Sequence, residues 1–246
     1  MYSPIINGVK YKIYNPNDVI QSVLLSGAQW NTEIVDIIKS YISQRNLQHF
    51  LNVGTHIGSV SLPVSRLINK VSSIEAYPPS YAHLCENISS NDITNITTYN
   101  IAVGNDDTTV YFLGEDMICP VEHCNRVKNN TGGMHVLTES DIAAGVRSAV
   151  LTDRKVVGQM TTLNKMDIDN FDIMLVDIEG CEYDFLLGAK EKILKNKPII
   201  IIEIWDNDKR ARENMKITAE ETRDFILSLG YKLVNQIGDD YIFESL

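Results

Sequence analysis

The chain has little of what marks secreted, membrane-spanning or nucleic-acid-coating proteins. Its four cysteines, at positions 85, 119, 124 and 181, are too few and too scattered among 246 residues for the disulfide framework of a small secreted domain. Met1-Tyr2-Ser3-Pro4-Ile5 has no basic start and no long apolar core, so no secretory signal is read there. No apolar run approaches the ~20 residues that cross a bilayer, so no membrane partner is expected and the reading is a reduced, cytoplasmic setting. Lysine and arginine number 22 against 32 acids, a net charge of −10 that argues against a broad phosphate-binding surface and hence against nucleic acid as a partner. No internal repeat is present. With 44% hydrophobic and 22% charged residues, the composition is that of a globular protein able to bury one sizeable core, and a single domain over 1–246 is expected.

Two distant segments end apolar runs in glycine and polar residues: Phe50-Leu51-Asn52-Val53-Gly54-Thr55-His56-Ile57-Gly58 and Asp172-Ile173-Met174-Leu175-Val176-Asp177-Ile178-Glu179-Gly180. Both have the form of strand tips that hold a ligand. Gly54 and Gly58 permit a tight turn and close backbone approach to a bound molecule, with His56 offering its backbone N–H there and a helix beginning close to Ser59. Glu75 ends the next apolar run, 21 residues beyond Gly54, a spacing that suits a carboxylate on the hydroxyls of a ribose. Pyrophosphate binding favours G-x-G-x-x-G, whereas this chain has only G-x-x-x-G, which favours a ligand with ribose but no pyrophosphate, S-adenosylmethionine being the common one.

Strands are expected near Phe50 to Val53, Val71 to Ile74, Ile96 to Ile101, Ile173 to Val176 and Ile199 to Ile204, mostly with helical stretches between them, the pattern of a doubly wound, mostly parallel α/β sheet. Ile34, Ile37, Ile38, Tyr41 and Ile42 recur at helical spacing, with Asn31 or Thr32 as cap. Pro63 is tolerable only in a helix's first turn. Val9 to Tyr14 and Val19 to Leu25 read as the two strands of a hairpin around Asn15-Pro16-Asn17-Asp18, an N-terminal extension over residues 1–30. Tyr231 to Val234 and Tyr241 to Glu244 flank the turn Gly238-Asp239-Asp240. Between 114 and 150 the alternation fails, and the segment reads as an insertion or lid over the site, tipped by Gly132-Gly133-Met134-His135.

The combination resembles the FkbM-type methyltransferase family from about Trp30 to Glu203. The matching stretches are Asn52 to Gly58, Glu75-Ala76-Tyr77-Pro78-Pro79 with Leu84 and Asn87, Ala102-Val103-Gly104, Thr162-Leu163, Asp177-Ile178-Glu179-Gly180-Cys181-Glu182, Gly188-Ala189, and Pro198 leading to Glu203. The resemblance implies a seven-stranded sheet of the class I methyltransferase (Rossmann-like) type closed by the C-terminal hairpin. It implies transfer of a methyl group from S-adenosylmethionine, usually to an oxygen, and a cofactor set of Asn52, Gly54, Thr55, His56, Gly58, Glu75, Ala76, Ala102 and Asp177. Asn52 and Thr55 stand where the family usually has aspartate and alanine, which keeps open a degenerate, cofactor- or partner-binding protein. The leading reading is an O-methyltransferase acting on a small-molecule or glycan hydroxyl; nucleic-acid methylation is disfavoured by the acid balance.

Four residues are candidates for the chemistry. Asp177 is expected nearest the methyl group, and Glu179 either accepts the acceptor's proton or binds backbone N–H groups in its turn. Glu203 stands inside the apolar run Ile202-Glu203-Ile204-Trp205 and needs a partner. With Asp177 it can hold a divalent ion such as Mg²⁺, though a metal-free site is favoured. His135 is the candidate base of the lid. Cys119, His123 and Cys124 lack the paired spacing of a zinc site and are read as coincidence.

Overall fold

A computed structural model describes residues 2–112, 130–148 and 156–246. Its centre is a seven-stranded mixed sheet in the spatial order β12-β13-β11-β10-β3-β4-β5. The strands are β3 (His49–Val53), β4 (Lys70–Ile74), β5 (Ile96–Tyr99), β10 (Ile173–Val176), β11 (Ile199–Glu203), β12 (Tyr231–Ile237) and β13 (Asp240–Ser245). From β5 across to β11 all neighbours are parallel, and β13 runs antiparallel to both β11 and β12.

Both faces of this sheet are covered, which is why its central strands are apolar throughout rather than alternating. Ile173 and Leu175 of β10 face Ile34, Val35, Ile38 and Ile42 of helix α2 (Thr32–Arg45). Met174 and Val176 point the other way, into the cluster that holds Phe185, Leu186 and Ile193 of helix α4 (Glu182–Asn196). Asn31 takes the cap position of α2 in a left-handed conformation, with no side-chain bond to the helix. Pro63 falls in the first turn of α3 (Ser61–Ser65), as its missing N–H requires.

Two expectations fail at the N-terminus. The hairpin there is β1 (Ile5–Ile6) with β2 (Val9–Lys10), turned by Asn7 and Gly8 at φ of 50° and 79°. Val19–Leu25 is a helix, α1, because the Asp18 carboxylate accepts the Gln21 N–H at 3.0 Å and caps it, while Ile20 and Leu24, four residues apart, go into the core. The run Ile96 to Ile101 is likewise not one strand: β5 ends at Tyr99, and β6 (Ala102–Val103) joins a separate sheet. That sheet, in the order β6-β9-β7-β8, adds β7 (Thr108–Phe112), β8 (Val136–Leu137) and β9 (Val156–Thr161). One of its strands, β8, lies in the stretch where the simple alternation was lost. Among the described residues no helix is long and apolar enough to cross a membrane.

Candidate functional site

In a doubly wound sheet the ligand crevice opens at the carboxyl ends of the strands, where the chain order reverses. Here the reversal lies between β3 and β10: the chain goes from β3 to β4 and β5 on one side, then to β10 and β11 on the other. Gly54 follows β3 and Asp177 follows β10, so the two sequence segments meet at this point. Their contact is intimate. A Cβ on Gly54 would lie 1.7 Å from the Asp177 carbonyl oxygen, and Gly54 has φ of +82°. The atoms that demand glycine here are therefore the protein's own backbone.

A cavity of about 280 Å³ opens here, bordered by Gly54, Glu75, Ala76, Ala102 and Asp177 and covered by Met134. Glu75 is buried and accepts the N–H of His56 at 2.7 Å and that of Tyr77 at 2.9 Å, one on each oxygen, which leaves lone pairs for a ligand. Burial pushes its carboxyl up to about 7, against the pull of those two N–H donors. His56, at φ of 52°, therefore gives its N–H to Glu75 rather than to a ligand. Gly58 borders neither this cavity nor its smaller neighbour; the space a Cβ would need is taken by Leu62 Cδ1 at 2.0 Å and Leu84 Cδ1 at 2.8 Å. Its role in this structure is packing, and α3 starts only at Ser61.

His56 is instead held through its ring. Thr131 Oγ1 donates to Asp18 at 2.9 Å and so must accept from His56 Nε2, 2.8 Å away, leaving Nδ1 a buried acceptor without a partner. Burial lowers this imidazole to about 4 and keeps it neutral. The relay ties the N-terminal segment to the cover: Asp18 also accepts the Thr131 N–H at 2.7 Å while capping α1. Asp18→Ala removes three acceptor contacts and should cost about 2–4 kcal/mol in urea unfolding. A loss below about 1 kcal/mol would leave only the helix cap as its role.

The second cavity, about 140 Å³, lies beside the first and shares Gly54, His56, Gly132, Asp177 and Glu179 with it. Asn52, Thr55, Glu203 and Asp240 border this one and not the larger. Asn52 donates through Nδ2 to Ser61 Oγ at 2.9 Å, and Thr55 Oγ1 donates to the Asn52 carbonyl at 3.1 Å. One carboxylate oxygen from each of Asp177, Glu179 and Glu203 lies within 4.8 Å of the others. At that spacing two unit charges repel by about 3–4 kcal/mol at an effective dielectric of about 20. All three carboxyls are pushed upward, by burial first and, for Asp177 and Glu179, next by Glu203; Glu179 reaches about 8. Asp240, paired in register with Glu203, is raised to about 7 by burial and Glu203. Glu203 accepts the Trp205 indole N–H at 2.7 Å.

The turn bearing Glu179 is tightly supported. Glu179 itself is left-handed at φ of 57°, and Glu182 accepts the Gly180 N–H at 2.8 Å. Arg147, from a short turn at Val146–Ser148, donates to the Glu179 carbonyl at 2.8 Å, pairs with Glu213 at 3.3 Å and stacks over Trp205. His135 belongs to this support: it is buried, bonded to Arg147 and set edge-on to Trp205, and it borders neither cavity. Asp18, Thr131, Arg147 and Asp240 were missed by sequence reasoning, since nothing local marks them. Cys119, His123 and Cys124 lie outside the described residues.

A glycine turn at one strand tip, an acid at the next and a cavity at the reversal define a ligand-binding α/β protein of the doubly wound class. The profile of the methyltransferase FkbM domain matches residues 52–233, and the chain belongs to the FkbM methyltransferase family. No curated protein matches it. Among solved structures it is similar to methyltransferase FkbM from Methylobacillus flagellatus KT, at 14% identity and a TM-score of 0.51 over 94% of this chain and 56% of that one. The chain thus spans little more than half of that relative's length. The O-methyltransferase TomG from Streptomyces achromogenes, solved with S-adenosylmethionine, is similar over 92% of this chain and 86% of its own, at 10% identity and a TM-score of 0.50. A putative O-methyltransferase from Klebsiella pneumoniae matches over 88% and 81%, also at 10% identity and a TM-score of 0.50. At these identities the likeness is one of fold.

Proposed function

We propose that the protein transfers the methyl group of S-adenosylmethionine to a hydroxyl oxygen of a small molecule or glycan, with the cofactor in the larger cavity. The observation that carries this reading is Glu75 beside the Gly54 turn at neighbouring strand tips, with Asp177 across the reversal point. Family membership supports methyl transfer, and TomG, named as an O-methyltransferase, was solved with this cofactor. The residues fit such a ligand: Glu75 keeps free acceptor capacity for ribose hydroxyls, and His56 Nδ1 is an orphaned acceptor on the same cavity wall.

When bound, S-adenosylmethionine supplies a methyl carbon that leaves sulfur as it joins the acceptor oxygen. Asp177 is assigned to the methionine end, where the two cavities join, and the acceptor to the smaller cavity. Alignment of acceptor and donor there contributes through positioning. Glu179, at the junction of the two cavities, offers a carboxylate oxygen to the hydroxyl proton and must be ionised to take it. His135 acts at a distance, by holding Arg147 against the Glu179 turn. Asn52 borders the smaller cavity, so the amide there removes no carboxylate from around Glu75, which weakens the case for a degenerate binding protein.

Calorimetry with S-adenosylhomocysteine tests the cofactor assignment. Glu75→Gln should weaken binding by about 1–3 kcal/mol, the scale for losing a charged hydrogen-bond partner. Full affinity in a folded variant removes Glu75 from the site. Radiolabelled methyl transfer to a panel of sugars, hydroxylated metabolites and RNA then tests the acceptor class, and label on RNA alone would overturn it.

A further inference from the structure

Among the described residues, the smaller cavity gathers more negative oxygen than nearby cations neutralise. Asp177, Glu179 and Glu203 converge there, and Asp240 joins them from β13. Among the described residues none of the four forms an ion pair. Lys209, whose field reaches Glu179 and Glu203, has its ammonium over the Trp205 ring, 3.6 Å from the centroid. A second observation is independent of the acids. Asn52 is 1% exposed and borders the same cavity, its Nδ2 is spent on Ser61, and its Oδ1 has no hydrogen-bond partner. This buried carbonyl oxygen is left without a hydrogen-bond partner beside three crowded carboxyl groups, and a cation satisfies all four at once.

We propose that a hard divalent cation of the Mg²⁺ or Mn²⁺ kind binds in the smaller cavity, held by Asp177, Glu179 and Glu203 with Asn52 Oδ1 as a neutral ligand. The cluster contains oxygens and no thiolate or imidazole, which selects hard ions. On an octahedron with ~2.1 Å bonds, neighbouring oxygens lie about 3 Å apart and opposite ones about 4.2 Å. The observed limit of 4.8 Å between the three carboxylate oxygens lies just above that wider spacing. Sequence reasoning weighed only Asp177 and Glu203 and favoured a metal-free site; Glu179 and Asn52 complete a set it could not see. Only the ion's role rests on the methyl-transfer reading: where the two cavities meet, it takes the acceptor hydroxyl oxygen as a further ligand and lowers its pKa.

Both tryptophans report on this cavity, since Trp30 borders it and Trp205 bonds Glu203. Tryptophan-sensitised Tb³⁺ luminescence of the full chain, without S-adenosylmethionine, should therefore show one saturable site, displaced by Mn²⁺ or Mg²⁺. Asp177→Asn and Glu203→Gln should weaken it roughly tenfold or more and Asn52→Ala several-fold. Lys209→Ala should tighten it, and Glu220→Gln, on the surface, should leave it unchanged. Under chelation Glu203→Gln should melt above the unsubstituted protein yet lose the rise in melting temperature that Mn²⁺ gives, a pair of signs that mere misfolding cannot produce. Unsaturable luminescence, or equal affinity in Asp177→Asn and Glu203→Gln, overturns the site and leaves Lys209 as resident counter-ion. Because S-adenosylhomocysteine binding is measured separately, loss of the methyl-transfer reading would leave a positive cation result standing.

Discussion

Gly54→Ala should cost at least about 4 kcal/mol of stability, enough to leave much of the chain unfolded. The new Cβ would meet the Asp177 carbonyl oxygen at 1.7 Å and its carbon at 2.8 Å, and neither is the movable end of a side chain. Relief requires β3 and β10 to part at the reversal point, where Val53 and Val176 are paired and fully buried. Gly230 provides the control, because it has nearly the same backbone conformation, φ of +85°, with nothing within 4 Å of its missing Cβ. Gly230→Ala should lose only the about 1–2 kcal/mol of the left-handed conformation. Equal losses in the two variants, by denaturant unfolding, would show that the contact with Asp177 is not what Gly54 serves. Sequence reasoning gave Gly54 to close approach of a bound molecule; in the fold, the nearest atoms to its missing Cβ are the backbone of Asp177.

In the absence of divalent cations the protein should lose about 2–4 kcal/mol of stability between pH 6.5 and 8. Burial holds Glu75 and Glu182 near 7 and Glu179 near 8, and Asp240 moves the same way. In the unfolded chain these acids are already ionised at pH 6.5. The fold therefore binds more protons than the unfolded chain, and stability falls as pH rises through the folded values. The buried histidines act in the opposite sense at lower pH: burial depresses His49, His56 and His83 below 6.5, so their contribution is lost as pH drops under that value. Between pH 6.5 and 8 they still add a rise of about 1 kcal/mol, because the unfolded histidines are half protonated at pH 6.5, and the fall from the acids outweighs it. For a chain of this size the melting temperature should drop by roughly 5–15 °C in chelator-treated protein, and a flat profile would mean that these carboxyls are ionised in the fold.

Residues that end apolar runs were legible in the sequence because strand tips are local events. Gly54, Glu75, Asp177 and Glu203 each close a run of strand-forming residues, and each lies at the crevice. The helical spacing of α2 was legible for the same reason. Val19–Leu25 was misread because its β-branched residues resemble a strand; the deciding bond, from the Gln21 N–H to Asp18, also belongs to a residue whose other partner, Thr131, is 113 positions away. The second sheet was illegible because β6 and β8 are only two residues long, and β7 and β9 pair across more than forty positions.

By itself the sequence determined the class of fold, the glycine turn and the acids at the strand tips, since all follow from short-range patterns of apolar and polar residues. Tertiary structure decided what those residues do. It spent the His56 N–H on Glu75, assigned Gly54 to the carbonyl of Asp177, turned His135 away from both cavities, and gathered Asn52, Asp177, Glu179, Glu203 and Asp240 from β3, β11, β13 and the turn after β10 around one small space. Register and strand order bring those oxygens together, and neither is written in any one segment of the chain.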